Sequence, residues 1–116
     1  IELYNLPANN NLVLWLKPDA GVVTDTANKV TLWGDQSVNA SIATPINLNR
    51  SPIFSTPLTL LNNYKAVTFD GTDDYLQIVH NSSLDFGTAS SIFFVGNFNV
   101  ATAGFFAKRP STGAGI

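Results

Sequence analysis

Three carboxylates crowd into five positions where the run Asp70-Gly71-Thr72-Asp73-Asp74 interrupts an otherwise apolar stretch. Hard divalent cations take oxygen ligands, so Asp70, Asp73 and Asp74 form the candidate metal site, with Ca2+ as the candidate cofactor. The spacing is not that of an EF-hand loop. The same residues also suit an ordinary turn, in which Asp carboxylates accept hydrogen bonds from neighbouring amides and Gly supplies a positive φ. Both readings stay open on the residues alone. Asp35, followed by Gln36 and Ser37, has the same ambiguity, and there fixation of a loop is the favoured role.

Other chemistry has fewer supports. Glycoside hydrolysis needs two carboxyl groups held across the scissile bond, yet the chain has a single glutamate, Glu2, far from the acidic turn in sequence. The only histidine is His80, and no serine lies in a Gly-x-Ser-x-Gly turn, so a serine nucleophile with its base is not indicated. The chain is expected to be non-catalytic. Carbohydrate binding would use aromatic faces helped by Asn and Asp side chains. Trp15 lies inside an apolar run and is expected in the core, whereas Trp33 abuts Gly34-Asp35 and Tyr75 abuts Asp74. Trp33 and Tyr75 are therefore the candidate carbohydrate-binding residues, with packing in the core as the competing role for both.

The elements that must position these groups read as strands. Val67 and Phe69 share one face of an alternating run before the acidic turn, and Leu76 and Ile78 share one face of another after it. That pattern predicts a β-hairpin closed at Asp70-Gly71. Residues 12–17 are almost continuously apolar and end at Pro18, which predicts a buried strand. Residues 18–26 read as a loop around Gly21, and residues 30–33 resume extended structure. Residues 39–57 hold three prolines, Pro45, Pro52 and Pro57, and predict a long surface connection with at most a short edge strand. Residues 91–100 are apolar on both faces, with Ile92, Phe94 and Phe98 on one and Phe93 and Val95 on the other, which predicts a central strand. Residues 104–108 make one more. The expected core is Leu14, Leu16, Val67, Phe69, Leu76, Ile78, Ile92 and Phe94, and no 3.6-residue apolar period supports a helix of ordinary length.

Three motifs together, Leu12-Val13-Leu14-Trp15-Leu16-Lys17-Pro18-Asp19-Ala20-Gly21-Val22, Leu32-Trp33-Gly34-Asp35-Gln36-Ser37 and the segment 67–78, resemble the laminin-G-like jelly rolls of the concanavalin A-like lectin and glucanase superfamily. The resemblance runs from about Leu12 to Lys108. It implies an all-β antiparallel sandwich (jelly roll), a single domain over 1–116, and frequent use of calcium at the rim of the sheets. The Glu-x-Asp-x-x-Glu pattern of the superfamily's retaining glucanases is absent. The family domain is usually longer, so the resemblance further implies that 1–116 is the N-terminal part of a domain completed by more strands, from the same chain or a partner.

Composition narrows the partners. Charged residues make up 12% of the chain, well under the roughly 25% of ordinary soluble domains, and six Lys and Arg against eight Asp and Glu give a net charge of −2. No basic footprint for nucleic acid exists. The chain has no cysteine, which removes disulfides and thiolate metal sites, and no apolar run approaches the roughly 18 residues of a membrane span. An acidic, cysteine-free, Asn/Thr-rich chain agrees with a bacterial secreted or cell-surface protein. The expectation is a lectin-like module acting in glycan recognition or adhesion within a larger extracellular protein. Two alternatives stand beside it, a structural or assembly domain that binds no sugar and an accessory domain of a glycoside hydrolase.

Overall fold

The computed structural model describes residues 11–58, 62–99 and 104–108. Among them lie six strands, β1 (Val22–Thr24), β2 (Val30–Gly34), β3 (Ile42–Thr44), β4 (Ile53–Leu58), β5 (Tyr64–Thr68) and β6 (Gln77–Ile78), two short 3-10 turns, and no α-helix. The protein is all-β. All pairings are antiparallel, in a four-stranded sheet of order β1-β2-β3-β6 and a separate β4-β5 ribbon.

Local chemistry explains where the chain reverses. Between β1 and β2, Asp25 Oδ1 accepts from the amides of Ala27 (2.8 Å) and Lys29 (2.9 Å), and Asn28 takes a φ of 62°. Asx side chains tolerate that left-handed region and hold their own turns. Between β4 and β5, Asn62 and Asn63 adopt φ values of 51° and 63°. Gly21, at φ +80°, brings its carbonyl 2.8 Å from the Gly34 amide, and a Cβ there would stand 2.6 Å from the Gly34 oxygen. Glycine is required at 21 by both conformation and space.

The two sheets meet at one seam. Lys29 and Ile53 form an antiparallel bridge flanked by hydrogen bonds from Val30 N–H to Pro52 O (2.9 Å) and from Phe54 N–H to Asn28 O (2.8 Å). Pro52 has no N–H to return to the Val30 carbonyl, and the Ser51 hydroxyl donates to that oxygen instead. Val30 is fully buried there, with Pro52 and Ser51 beside it. Apart from Val30, the buried apolar residues are Ala43 and Ala66, so the core among the described residues is small.

Several expectations from the sequence are corrected. The predicted hairpin across Asp70-Gly71 does not form, because β5 pairs with β4 while β6 pairs with β3 through Ala43↔Ile78. A period-2 pattern marks strands but not their partners. Residues 39–57 carry β3 and most of β4, and residues 18–26 carry β1. Residues 12–17 form no strand; the segment instead lies against β2 through side-chain and isolated backbone bonds. Residues 91–99 and 104–108 contain no strand either, and residue 100 lies outside the described residues.

The expected core shifts accordingly. Leu14, Leu16, Val67, Leu76 and Ile78 are only partly buried, and Phe69, Ile92 and Phe94 are exposed. Phe93 and Val95 are each 94% exposed. The Phe94, Phe98 and Phe105 rings cluster with centroids 4.5–6.0 Å apart. Lys108 ties this stretch back to Asp85 (2.5 Å) and to the Leu84 carbonyl.

Candidate functional site

The acidic loop runs from the end of β5 to β6 and crosses from one sheet to the other. Asp70 organises it. Its Oδ1 accepts from the backbone amides of Thr72 (2.8 Å), Asp73 (3.2 Å) and Asp74 (3.3 Å), while Asp74 Oδ2 accepts from the Asp70 amide (3.0 Å). Gly71, at φ +77°, turns the chain so that these amides converge. The amide of Thr72 foremost, with lesser help from those of Asp73 and Asp74, favours the ionised form and holds the Asp70 carboxyl below its ordinary value, against an opposing effect of desolvation second in size only to that of Thr72.

The loop is moored to the 3-10 turn Leu48–Arg50. Arg50 Nε lies 3.4 Å from Asp73 Oδ2, and the Tyr75 amide donates to the Arg50 carbonyl (3.2 Å). That turn is capped by Asn47, whose Oδ1 accepts from the Asn49 amide (2.9 Å), and is fastened to the start of β2 by Lys29 Nζ on the Leu48 carbonyl (2.8 Å). The acidic loop thus sits on a short chain of polar contacts that begins beside the buried Val30 seam.

The geometry brings Asp70, Asp73 and Asp74 together. One carboxylate oxygen from each lies within 4.8 Å of the other two, a spacing compatible with a shared cation. Asp70 and Asp73 are exposed and Asp74 is half-buried. One oxygen of each carboxylate carries the bonds described above, which leaves a second oxygen on each for a ligand. Calcium takes six to eight oxygens, so three carboxylates of this kind would hold it only with water or ligand hydroxyls completing the shell.

The aromatic candidates are not brought together in the same way. Tyr75 follows the loop directly and is half-buried beside Arg50. Trp33 lies within β2, between Val22 of β1 and Ala43 of β3, and its Nε1–H donates to the Lys17 carbonyl (3.0 Å). Its polar edge fastens the residues 15–20 strap to the sheet. Trp15 is half-buried too, with Lys17 Nζ 4.9 Å from its ring centroid.

Asp35 takes the structural role read for it. Its Oδ1 accepts from the amides of Trp15 (2.7 Å) and Ser37 (2.8 Å), and its Oδ2 accepts from Ser37 Oγ (2.7 Å) and the Ser41 amide (3.2 Å). Four bonds satisfy a carboxylate that is only 6% exposed. The Asp25 turn and the mooring at Arg50 were not read from the sequence. An Asp four residues before Lys29 is a visible turn signal, whereas Arg50 meets Asp73 across 23 positions and leaves no local trace.

Among the described residues, no helix is long and apolar enough to cross a membrane. No protein-family model, curated protein or solved structure matches this chain, so its functional reading rests on its own residues.

Proposed function

We propose that this chain is a non-catalytic, lectin-like β-sandwich module of a larger secreted or cell-surface bacterial protein, in which the acidic loop holds Ca2+ and presents it to glycan hydroxyls. The observation that supports this reading is the convergence of Asp70, Asp73 and Asp74 oxygens within 4.8 Å on an exposed, pre-folded loop. A carboxylate cluster with unfilled coordination positions suits a ligand that brings hydroxyl oxygens. Tyr75, directly after Asp74, is the first aromatic candidate, and Trp33 is the second, through its ring rather than its bonded N–H. Calorimetric titration with Ca2+ tests the loop. Binding by the native chain that is lost in the Asp73→Asn/Asp74→Asn variant supports the reading, and equal heats in both overturn it. Glycan-array binding that chelation abolishes would extend it to sugar.

A second reading has its own observation. Phe93 and Val95 are bare to solvent, and no backbone hydrogen bond links residues 86–99 to another described segment. Unpaired, exposed apolar chain favours packing against further polypeptide, as in a structural or assembly domain. The sedimentation behaviour of the isolated chain tests it: a soluble monomer unchanged by Phe93→Ser/Val95→Ser counts against this reading, and self-association relieved by those changes supports it. Nothing in the acidic loop favours the accessory-hydrolase alternative over these two.

A further inference from the structure

The turn that gathers the three carboxylates also contains the chain's one Asp-Gly pair, Asp70-Gly71, and the sequence has no Asn-Gly pair. An aspartyl side chain followed by glycine is open to an internal condensation. The Gly71 amide nitrogen attacks Asp70 Cγ, the N–H proton and a carboxyl oxygen leave as water with one further proton from solvent when the carboxylate is ionised, and a five-membered succinimide forms. Water then opens the ring at either carbonyl, which returns aspartate or leaves isoaspartate, with the main chain rerouted through the side chain. No oxidant or other co-reactant is needed. Glycine favours the step because no Cβ shields its nitrogen, and a Cβ built at Gly71 would meet nothing within 4 Å.

We infer that Asp70-Gly71 is this protein's site of spontaneous isoaspartate formation, and that the folded turn acts as a brake on it. Two observations carry the inference. The pair is exposed at the surface, so neither water nor the leaving oxygen is excluded. Against reaction stands the bonding of Asp70 Oδ1, which is held by the amides of residues 72, 73 and 74 and not by that of Gly71. Swinging Cγ onto the Gly71 nitrogen breaks all three bonds. Another contender, Asn81 before Ser82, is half-buried and restrained differently, as its Oδ1 caps the following turn at the Ser83 amide. Isoaspartate at 70 would add a backbone methylene and displace the carboxylate that the turn is built around.

Incubation of the chain at neutral pH and 37 °C, folded and in urea, tests the inference by peptide mapping with isoaspartate-sensitive fragmentation. The expected result is isoaspartate at position 70 ahead of every other Asp and Asn, accumulating several-fold more slowly in the folded chain. An Asp70→Glu variant should lose the product at that position. Earlier accumulation at Asn81 or elsewhere overturns the site, and equal rates in the folded and urea-unfolded chain overturn the brake.

Discussion

Asp35 and Asp70 do the same thing in two different places. Each is followed by a tight turn and gathers backbone amides on Oδ1, yet one is buried and the other lies in the open. The difference is in what they gather. Asp70 binds residues two, three and four positions ahead, so it closes only its own loop. Asp35 binds Ser37 and Ser41 nearby but also the Trp15 amide, 20 positions back, and so pins the strap over residues 15–20 to the sheet. A local acceptor shapes a loop; a long-range buried acceptor holds tertiary structure, and losing it strands several donors away from water.

The largest expected effect therefore falls on Asp35. Asp35→Ala should lower unfolding free energy by about 3 kcal/mol in urea titrations, since buried donors lose a charged partner. A change under about 0.5 kcal/mol, the size of an ordinary surface substitution, would place Asp35 with Asp70 and erase the contrast. Ser37→Ala removes one donor to Asp35 Oδ2 while the Ser41 amide remains, and should cost about 1 kcal/mol.

Asp70→Ala should leave the global urea midpoint in place and accelerate hydrogen exchange at the Thr72 amide. The pH dependence follows the same division. Asp70 has a folded value below its ordinary 3.8, so its contribution is complete above that value and is lost as pH falls through the lowered one. NMR of the Thr72 amide should show the loop loosening in that acidic window. Asp85, lowered chiefly by its hydrogen bond to Lys108, should release the Phe-rich segment over the same range. The smallest effect belongs to Arg50→Gln. Its pairing with Asp73 is about half exposed on both sides, which limits the loss to about 0.5 kcal/mol in a double-mutant cycle.

The contrast also explains which parts of the molecule were legible in the sequence. The turn-forming roles of Asp35 and Asp70 were readable because the amides they hold at Ser37 and at residues 72–74 are close in the chain. The strand at 30–33 was readable from its alternating residues. Strand partners were not, because the apolar faces of residues 67 and 78 look the same whether the two strands pair with each other or with β4 and β3. Residues 91–99 have strand composition, yet a strand exists only once a neighbour accepts its backbone bonds, and composition does not say where that neighbour is. The proline-rich stretch 39–57 hid β3 and β4 because Pro52 stands immediately before β4, and Pro57, inside β4, falls where the pairing register shifts between Ser55 and Leu58, so neither proline ends the strand. The candidate site was half visible: its three carboxylates are contiguous, whereas its mooring at Arg50 is tertiary.

The Ser51–Pro52 step at the seam bears on how the molecule comes apart. A ladder running on between β2 and β4 would weld the two sheets into one cooperative body. Proline withholds the next rung, and the Ser51 hydroxyl satisfies the Val30 carbonyl without extending the pairing. The sheets are left as two foldons sharing a single fully buried valine, and melting of the β4-β5 ribbon can precede loss of the four-stranded sheet. In such a hierarchy the Val30 amide, bonded to the Pro52 carbonyl, is set free when the ribbon parts from the sheet, and its exchange reports that first separation while the β1-β2-β3-β6 ladder still holds.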